Sequence, residues 1–157
     1  MSSLRSLALI VGAVLGAGVL GGCGGSSGGG TPSSVQSCLQ NAGYGVTTVP
    51  SSEIKGGGPE NRGPGETGEL LVGLNGAKPP VGADQADAVV AFFDSAKHAS
   101  SAPGTDESNP ILHVTAIGKI TVQGTAHLVA DVIKHSSSPS KAKAAFYAEL
   151  KKIEGCV

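Results

Sequence analysis

The side chains best suited to metal binding or general acid–base chemistry are four histidines and three aspartates: His98, His113, His127, His135, Asp84, Asp87 and Asp94. His127 and His135 lie on one predicted helix, eight residues apart and about 12 Å along its axis, so they are too distant to share a metal ion directly. A metal site would need His98 or His113 brought in by the fold. Helix capping and solvation explain the aspartates equally well. The sequence therefore indicates no catalytic residue, no metal ligand and no cofactor-binding residue.

The first 22 residues have the composition of an export signal. Arg5 is the only charged residue before Glu53, and residues 7–20 form an uncharged apolar run. That run is shorter than the roughly 20 residues that a membrane-spanning helix needs. The segment Leu20-Gly21-Gly22-Cys23 resembles the lipobox of bacterial lipoproteins. The resemblance implies that Cys23 receives diacylglycerol and that residues 1–22 are removed. The alternative is an ordinary signal peptide in which Cys23 is incidental.

Residues 23–34 are rich in glycine and serine and predict a flexible tether after the lipidated cysteine. A tether of about ten such residues spans roughly 15–20 Å. Two buried acyl chains are enough for stable membrane attachment, whereas one is marginal. We therefore expect an extracytoplasmic protein anchored to the bacterial cell membrane by lipid on Cys23.

The two remaining cysteines are Cys38 and Cys156, near the two ends of residues 35–157. If Cys23 carries lipid, Cys38 and Cys156 can pair with each other in an oxidising compartment. A redox-active or metal-binding pair is the alternative, but the chain has no C-x-x-C motif and Cys156 is the penultimate residue. The sequence therefore favours a structural disulfide.

Two helices are predicted at the ends of residues 35–157. Thr31-Pro32 and Ser138-Pro139 are each typical of an N-cap followed by proline in the first turn. Apolar residues then recur at helical spacing, and they are Val35, Cys38, Leu39 and Ala42 in the first helix and Ala142, Ala145, Phe146, Leu150 and Ile153 in the last. Gly43 and Gly155 are the predicted stops, and Gly155-Cys156 suggests a Schellman-type ending.

Strands are predicted between these helices, at residues 44–49, 69–75, 88–93 and 111–123, the last with a bend at Gly118-Lys119. Residues 51–68 and 103–110 predict loops, the first of them mobile, and residues 76–82 a turn. Residues 88–93 could instead extend a helix through residue 100, but Asp94 and Ser95 favour a short separate helix. Residues 125–135 predict a helix with Leu128, Val129, Val132 and Ile133 on its apolar side. Together the patterns predict one small α+β domain at residues 35–157, with four or five strands, helices mainly on one face and the terminal helices joined by the disulfide. A ferredoxin-like arrangement is one option for the part of the domain between the terminal helices.

Composition limits the function. Loss of Arg5 with the signal leaves ten basic against twelve acidic residues, a net charge of −2, which disfavours nucleic-acid binding. There is no tryptophan, no Walker loop and no H-E-x-x-H motif. The leading hypothesis is a lipoprotein that presents a small non-enzymatic domain to an envelope protein or a small ligand. The alternatives are a small envelope hydrolase with a His/Asp site assembled only in the fold, and a ligand-capturing accessory to a transporter.

Overall fold

The computed structural model describes residues 30–50, 64–74, 76, 79–102 and 113–157. This part of the chain contains five strands, four α-helices and one 3₁₀ turn at Ala83–Gln85. The strands are β1 (Gly45–Pro50), β2 (Glu66–Gly73), β3 (Ala88–Phe93), β4 (Val114–Ile117) and β5 (Ile120–Gly124). The helices are α1 (Pro32–Asn41), α2 (Ala96–Ser100), α3 (Ala126–Lys134) and α4 (Pro139–Glu154). Residues 1–29, which include the predicted signal, Cys23 and most of the tether, lie outside the described residues. Residues 51–63 and 103–112 also lie outside them, so most of the first predicted loop, all of the second and the start of the strand predicted at 111–123 are not described.

The five strands form one sheet in the order β1-β2-β3-β5-β4, and every pair of neighbours is antiparallel. The predicted α+β class is therefore confirmed. The ferredoxin-like option is wrong, because that arrangement follows the order β-α-β-β-α-β, whereas β1, β2 and β3 follow one another along the chain as antiparallel neighbours in the sheet.

All four helices begin at a Ser or Thr whose hydroxyl accepts a hydrogen bond from a backbone N–H in the first turn. The caps are Thr31, Ser95, Thr125 and Ser138. Each cap satisfies a donor that would otherwise lack a partner, which typically stabilises a helix by about 1 kcal/mol. The two cap-plus-proline predictions are confirmed, and so is the division of residues 88–100 into a strand and a short helix.

The main core lies on one face of the sheet, under three of the four helices. Its fully buried side chains include Val35 and Leu39 of α1, Leu128 of α3, and Leu150 and Ile153 of α4. They pack against alternate residues of the central strands, among them Leu70, Val72, Val90, Ile120 and Val122. The opposite face carries the smaller clusters around Leu71 and Val89 and around Phe93, the second of which includes Ala99 of α2. Helices thus lie mainly on one face, as the sequence predicts.

A disulfide joins α1 to the tail of the chain. The Cα atoms of Cys38 and Cys156 are 5.5 Å apart and the two sulfur atoms are bonded, which confirms the predicted pairing of the terminal helices. The predicted Schellman ending is wrong. Gly155 has a right-handed φ of −65°, and the N–H groups of Cys156 and Val157 donate to carbonyls three residues earlier, so the last turn tightens instead of reversing.

One predicted boundary is also wrong. Residues 51–68 were expected to form a loop, yet β2 begins at Glu66. Gly65 makes the preceding turn with φ +81°, and Glu66 then pairs with Phe93 across an irregularity in the ladder. The glycine and polar residues at this point predict a loop locally, but pairing with the fully buried strand β3 extends β2 over them.

Candidate functional site

The sheet has two distinguishable ends, which decide where the candidate sites lie. Gly45, Gly73, Ala88 and Gly124 are aligned at one end, where α3 begins, and we call this the α3 end. At the other end, α2 follows β3. Helix α1 leads through a short turn back into β1, and Gln36 lies beside Thr48, with 3.3 Å between the side-chain oxygens. The start of α1, where residues 23–34 join the domain, is therefore opposite the α3 end.

An aspartate–histidine pair occupies the α3 end. Asp87 Oδ1 lies 2.7 Å from Nδ1 of His127, forty residues further along the chain. Asp87 Oδ2 accepts a hydrogen bond of 2.8 Å from the backbone N–H of Leu74. The side chain of Asp87 is 10% exposed, whereas that of His127 is 53% exposed. The carboxylate is therefore held inside the domain, while the imidazole points to its surface.

The backbone around Asp87 is fixed as firmly as its side chain. Its N–H donates to the carbonyl of Val72, and its carbonyl accepts from the N–H of Thr125. The Thr125 hydroxyl, which also caps α3, donates to the carbonyl of Ala86 at 2.5 Å. Asp87 thus ties β2, β3 and the start of α3 together. A carboxylate held in this way can orient an imidazole, but chemistry would also require a nucleophile or a bound water beside His127.

A second pair lies at the opposite end of β3. Asp94 Oδ1 is 2.5 Å from Nδ1 of His98, one helical turn later on α2. The hydrogen bond from His98 is the main reason that the pKa of Asp94 lies below its ordinary value. A Cβ added at Gly65 would collide with both side chains, so glycine is required there for packing as well as for its φ. This pair fastens the turn before β2 to the start of α2.

A third aspartate–histidine pair, Asp131 and His135, lines a shallow cleft. His135 Nδ1 lies 2.9 Å from the carbonyl oxygen of Asp131 and 3.4 Å from its carboxylate. The cleft, of about 350 Å³, is lined by Leu74, Asp131, Val132, His135, Ser136, Ala145 and Glu149. It therefore brings a histidine, a carboxylate and a serine to one place, as a hydrolase needs. Within the described chain, however, no hydrogen bond joins the Ser136 hydroxyl to His135.

The fourth histidine has a structural environment. His113 Nε2 is 3.2 Å from the Thr115 hydroxyl, and its ring meets the ring of Tyr147 edge-on, with 5.0 Å between centroids. The four histidines thus have four different sets of partners. Across the described ranges, no group of three or more metal-binding side chains is close enough to hold an ion.

An apolar groove runs between α3 and α4, and we call it the α3–α4 groove. Two adjoining depressions of about 240 and 340 Å³ form it, and they share Ile133, Pro139 and Ala142. Together the two depressions are lined by Val129, Val132, Ile133, Ser136, Ser137, Ser138, Pro139, Ala142, Lys143, Phe146 and Tyr147. Phe146 anchors its floor against the α3 end, because its ring fills the space above Gly124.

Ile133 is a groove residue that sequence reasoning did not single out. Leu128 and Val132 are buried against the sheet, but Ile133 is 60% exposed at the groove. The four apolar residues on α3 form two rows about 100° apart, because positions i and i+4 lie in one row and positions i+1 and i+5 in the other, but spacing alone does not decide which row is buried. In the structure the first row is buried, and in the second row Val129 packs partly buried against the core while Ile133 is exposed.

Lysines near the groove have no carboxylate partner. Lys143 lines the groove, and its ammonium lies 5.9 Å from the centre of the Tyr147 ring. Lys134 and Lys141 are the chain neighbours of Ile133 and Ala142. None of these three lysines forms an ion pair within the described chain, whereas Lys151 pairs with Glu154 and Lys152 with Glu149.

Known proteins give no direct assignment. Comparison with protein-family models, with curated proteins and with solved structures finds no match for this chain. Within the described residues, no helix is both long enough and apolar enough to cross a bilayer. Of the sites predicted from sequence, Cys38 and Cys156 are bonded, and Cys23 lies outside the described residues.

Proposed function

We propose that this chain is an extracytoplasmic lipoprotein, anchored to a bacterial cell membrane by lipid on Cys23, whose domain serves as a binding module. The observation that carries the binding role is the α3–α4 groove, where apolar side chains and Lys143, which forms no ion pair within the described residues, are open to solvent. The lipobox-like segment Leu20-Gly21-Gly22-Cys23 supports the anchor.

The layout of the domain is consistent with this role. The tether joins the start of α1, while the groove is built against Gly124 at the α3 end of the sheet. A domain held by one end thus has its open surface at the other, accessible to a ligand or an envelope protein. Nucleic acid is not the proposed partner, because the processed chain carries a net charge of −2.

Metabolic labelling with a palmitate analogue tests the anchor. The full precursor should become labelled and fractionate with membranes, and Cys23→Ala should abolish both properties. The matched control is the double variant Cys38→Ser and Cys156→Ser, which removes two cysteines and should still be labelled. Equal labelling of the Cys23→Ala variant, or none in the unmodified chain, would contradict the proposal.

The cleft around His135 supports a second candidate function, a small envelope hydrolase, because it holds Ser136, His135 and Asp131 together. A fluorophosphonate probe separates the two functions, since it labels activated serine hydroxyls. Under the binding proposal Ser136 stays unlabelled. Labelling that is lost in both Ser136→Ala and His135→Ala, but kept in His113→Ala, would favour the hydrolase.

A further inference from the structure

The α3–α4 groove has the character of a site for a single alkyl chain. Its smaller depression is lined by seven apolar or aromatic side chains and by Lys143, with no carboxylate. At about 240 Å³ it is smaller than a typical pocket for a drug-sized ligand. Its size and lining therefore favour one flexible apolar chain.

The charges around the groove identify the head group of that ligand. Lys143 lies in the groove wall, and Lys134 and Lys141 adjoin lining residues. These lysines have no carboxylate partner in the described chain, unlike Lys151 and Lys152 on the last turns of α4. A negative head group in the groove would be attracted to the Lys143 ammonium, whereas a neutral head group would gain no such attraction.

We infer that the α3–α4 groove binds a medium-chain fatty carboxylate, with its alkyl chain against Ile133 and Phe146 and its carboxylate beside Lys143. This inference rests on the proposed binding function and names the ligand class of the same groove. Burial of the alkyl chain and of the exposed Ile133 side chain supplies the apolar part of the affinity. The lysine contributes selectivity for a charged over an uncharged head group.

Photoaffinity labelling of the full chain in phosphatidylcholine vesicles tests the inference. The probe is a decanoic acid that carries a diazirine on its alkyl chain, and the comparison probe is the corresponding alcohol. We expect adducts from the acid to map to α3 and α4. Ile133→Gln should lower the adduct yield about fivefold or more. Val81→Gln is the matched control, because Val81 is 80% exposed and lies outside the groove.

Two charge-reversal variants test whether binding requires a negative head group on the ligand. Lys143→Glu should reduce labelling by the acid and leave labelling by the alcohol unchanged. Lys97→Glu makes the same charge change on α2, over the other face of the sheet, and should leave both unchanged. All four substituted positions are solvent-exposed, and an unchanged urea-denaturation midpoint in each variant verifies that it is folded.

Three results would overturn the inference. The first is a set of adducts spread evenly over the domain, and the second is an equal adduct yield in Ile133→Gln and Val81→Gln. The third is equal labelling by the acid and the alcohol, both in the unmodified protein and in Lys143→Glu. A dimer that dissociates in Ile133→Gln would assign the groove to a second copy and would also overturn it. The mass of the same sample reports the lipid on Cys23, so loss of groove labelling in a lipidated protein refutes the ligand class while the anchored lipoprotein stands.

Discussion

The two ends of α4 differ in how completely their groups are partnered. At its C-terminal end, which we call the stapled end, Cys156 is bonded to Cys38, Lys151 and Lys152 are paired with glutamates, and Ile153 is fully buried. Beside its N-terminal end, in the α3–α4 groove, Ile133 of α3 is largely exposed, and Lys143 has no carboxylate partner within the described part of the chain. The stapled end is therefore more completely partnered than the groove, which is the surface that we propose for binding.

Ionisable side chains at the stapled end also influence one another's pKa values. Burial is the main reason that the pKa of Tyr44 is raised, and the charge of Glu149 adds to the effect. The hydrogen bond to Glu149 raises the pKa of Lys152. Tyr44, Glu149 and Lys152 thus interact with one another beside the disulfide, in contrast to the isolated lysines at the groove.

Removal of the disulfide should have the largest effect. The double variant Cys38→Ser and Cys156→Ser frees a loop of 118 residues, and the chain-entropy model gives a loss of about 4–5 kcal/mol in the free energy of unfolding. Urea denaturation of the oxidised protein and the variant measures this loss. If the two midpoints coincide, the stapled end does not stabilise the domain.

Two isoleucines then compare the stapled end with the α3–α4 groove directly. Ile153→Ala removes a fully buried side chain and should cost about 2–5 kcal/mol. Ile133→Ala makes the same change at an exposed position and should alter stability by no more than about 0.5 kcal/mol. The same denaturation experiment measures both. A comparable cost at the two positions would show that Ile133 is part of the core and not of a binding surface.

Asp87 should show an intermediate effect. Asp87→Ala leaves the buried backbone N–H of Leu74 without its acceptor and should cost about 1–3 kcal/mol. Asp84→Ala is the control, because Asp84 is exposed on the neighbouring 3₁₀ turn. Equal stability of the two variants would indicate that Asp87 is not retained for structure and would strengthen the case for chemistry at His127.

The smallest effect concerns Asp94. Because its pKa in the folded protein lies below the ordinary value of 3.8, its interaction with His98 is fully present above that value and is lost as the pH falls through the folded pKa. An NMR titration of the carboxyl carbon should show this low pKa, and His98→Ala should return it toward 3.8. An unchanged titration in His98→Ala would refute the hydrogen bond as its cause.

Local sequence patterns were sufficient for most of the fold. The caps at Thr31, Ser95 and Ser138 and the apolar periodicities located the helices, and the uninterrupted apolar run of β3 matched a strand buried on both faces. The disulfide followed from cysteine number and position. The local features depend on contacts between near neighbours, and the pairing of Cys38 with Cys156 follows if Cys23 is the lipidated cysteine, so no tertiary information was needed.

The candidate sites could not be predicted in the same way. Asp87 and His127 are forty residues apart, and the antiparallel pairing of β3 with β5, in which Ala88 lies opposite Gly124, brings them together. The exposure of Ile133 depends on how α3 is rotated over the sheet, which periodicity leaves open between two adjacent rows. The order of strands likewise depends on long-range pairing, and the ferredoxin-like option failed for that reason.

We propose that a lipid on Cys23 anchors the disulfide-bonded domain, and one intact-mass measurement tests both features. The full precursor would be expressed in a bacterial host, alkylated and extracted from membranes. We expect the mass of a chain that begins at Cys23, carries lipid and contains no alkylated thiol. A soluble, unlipidated product with alkylated cysteines would contradict both the anchor and the staple.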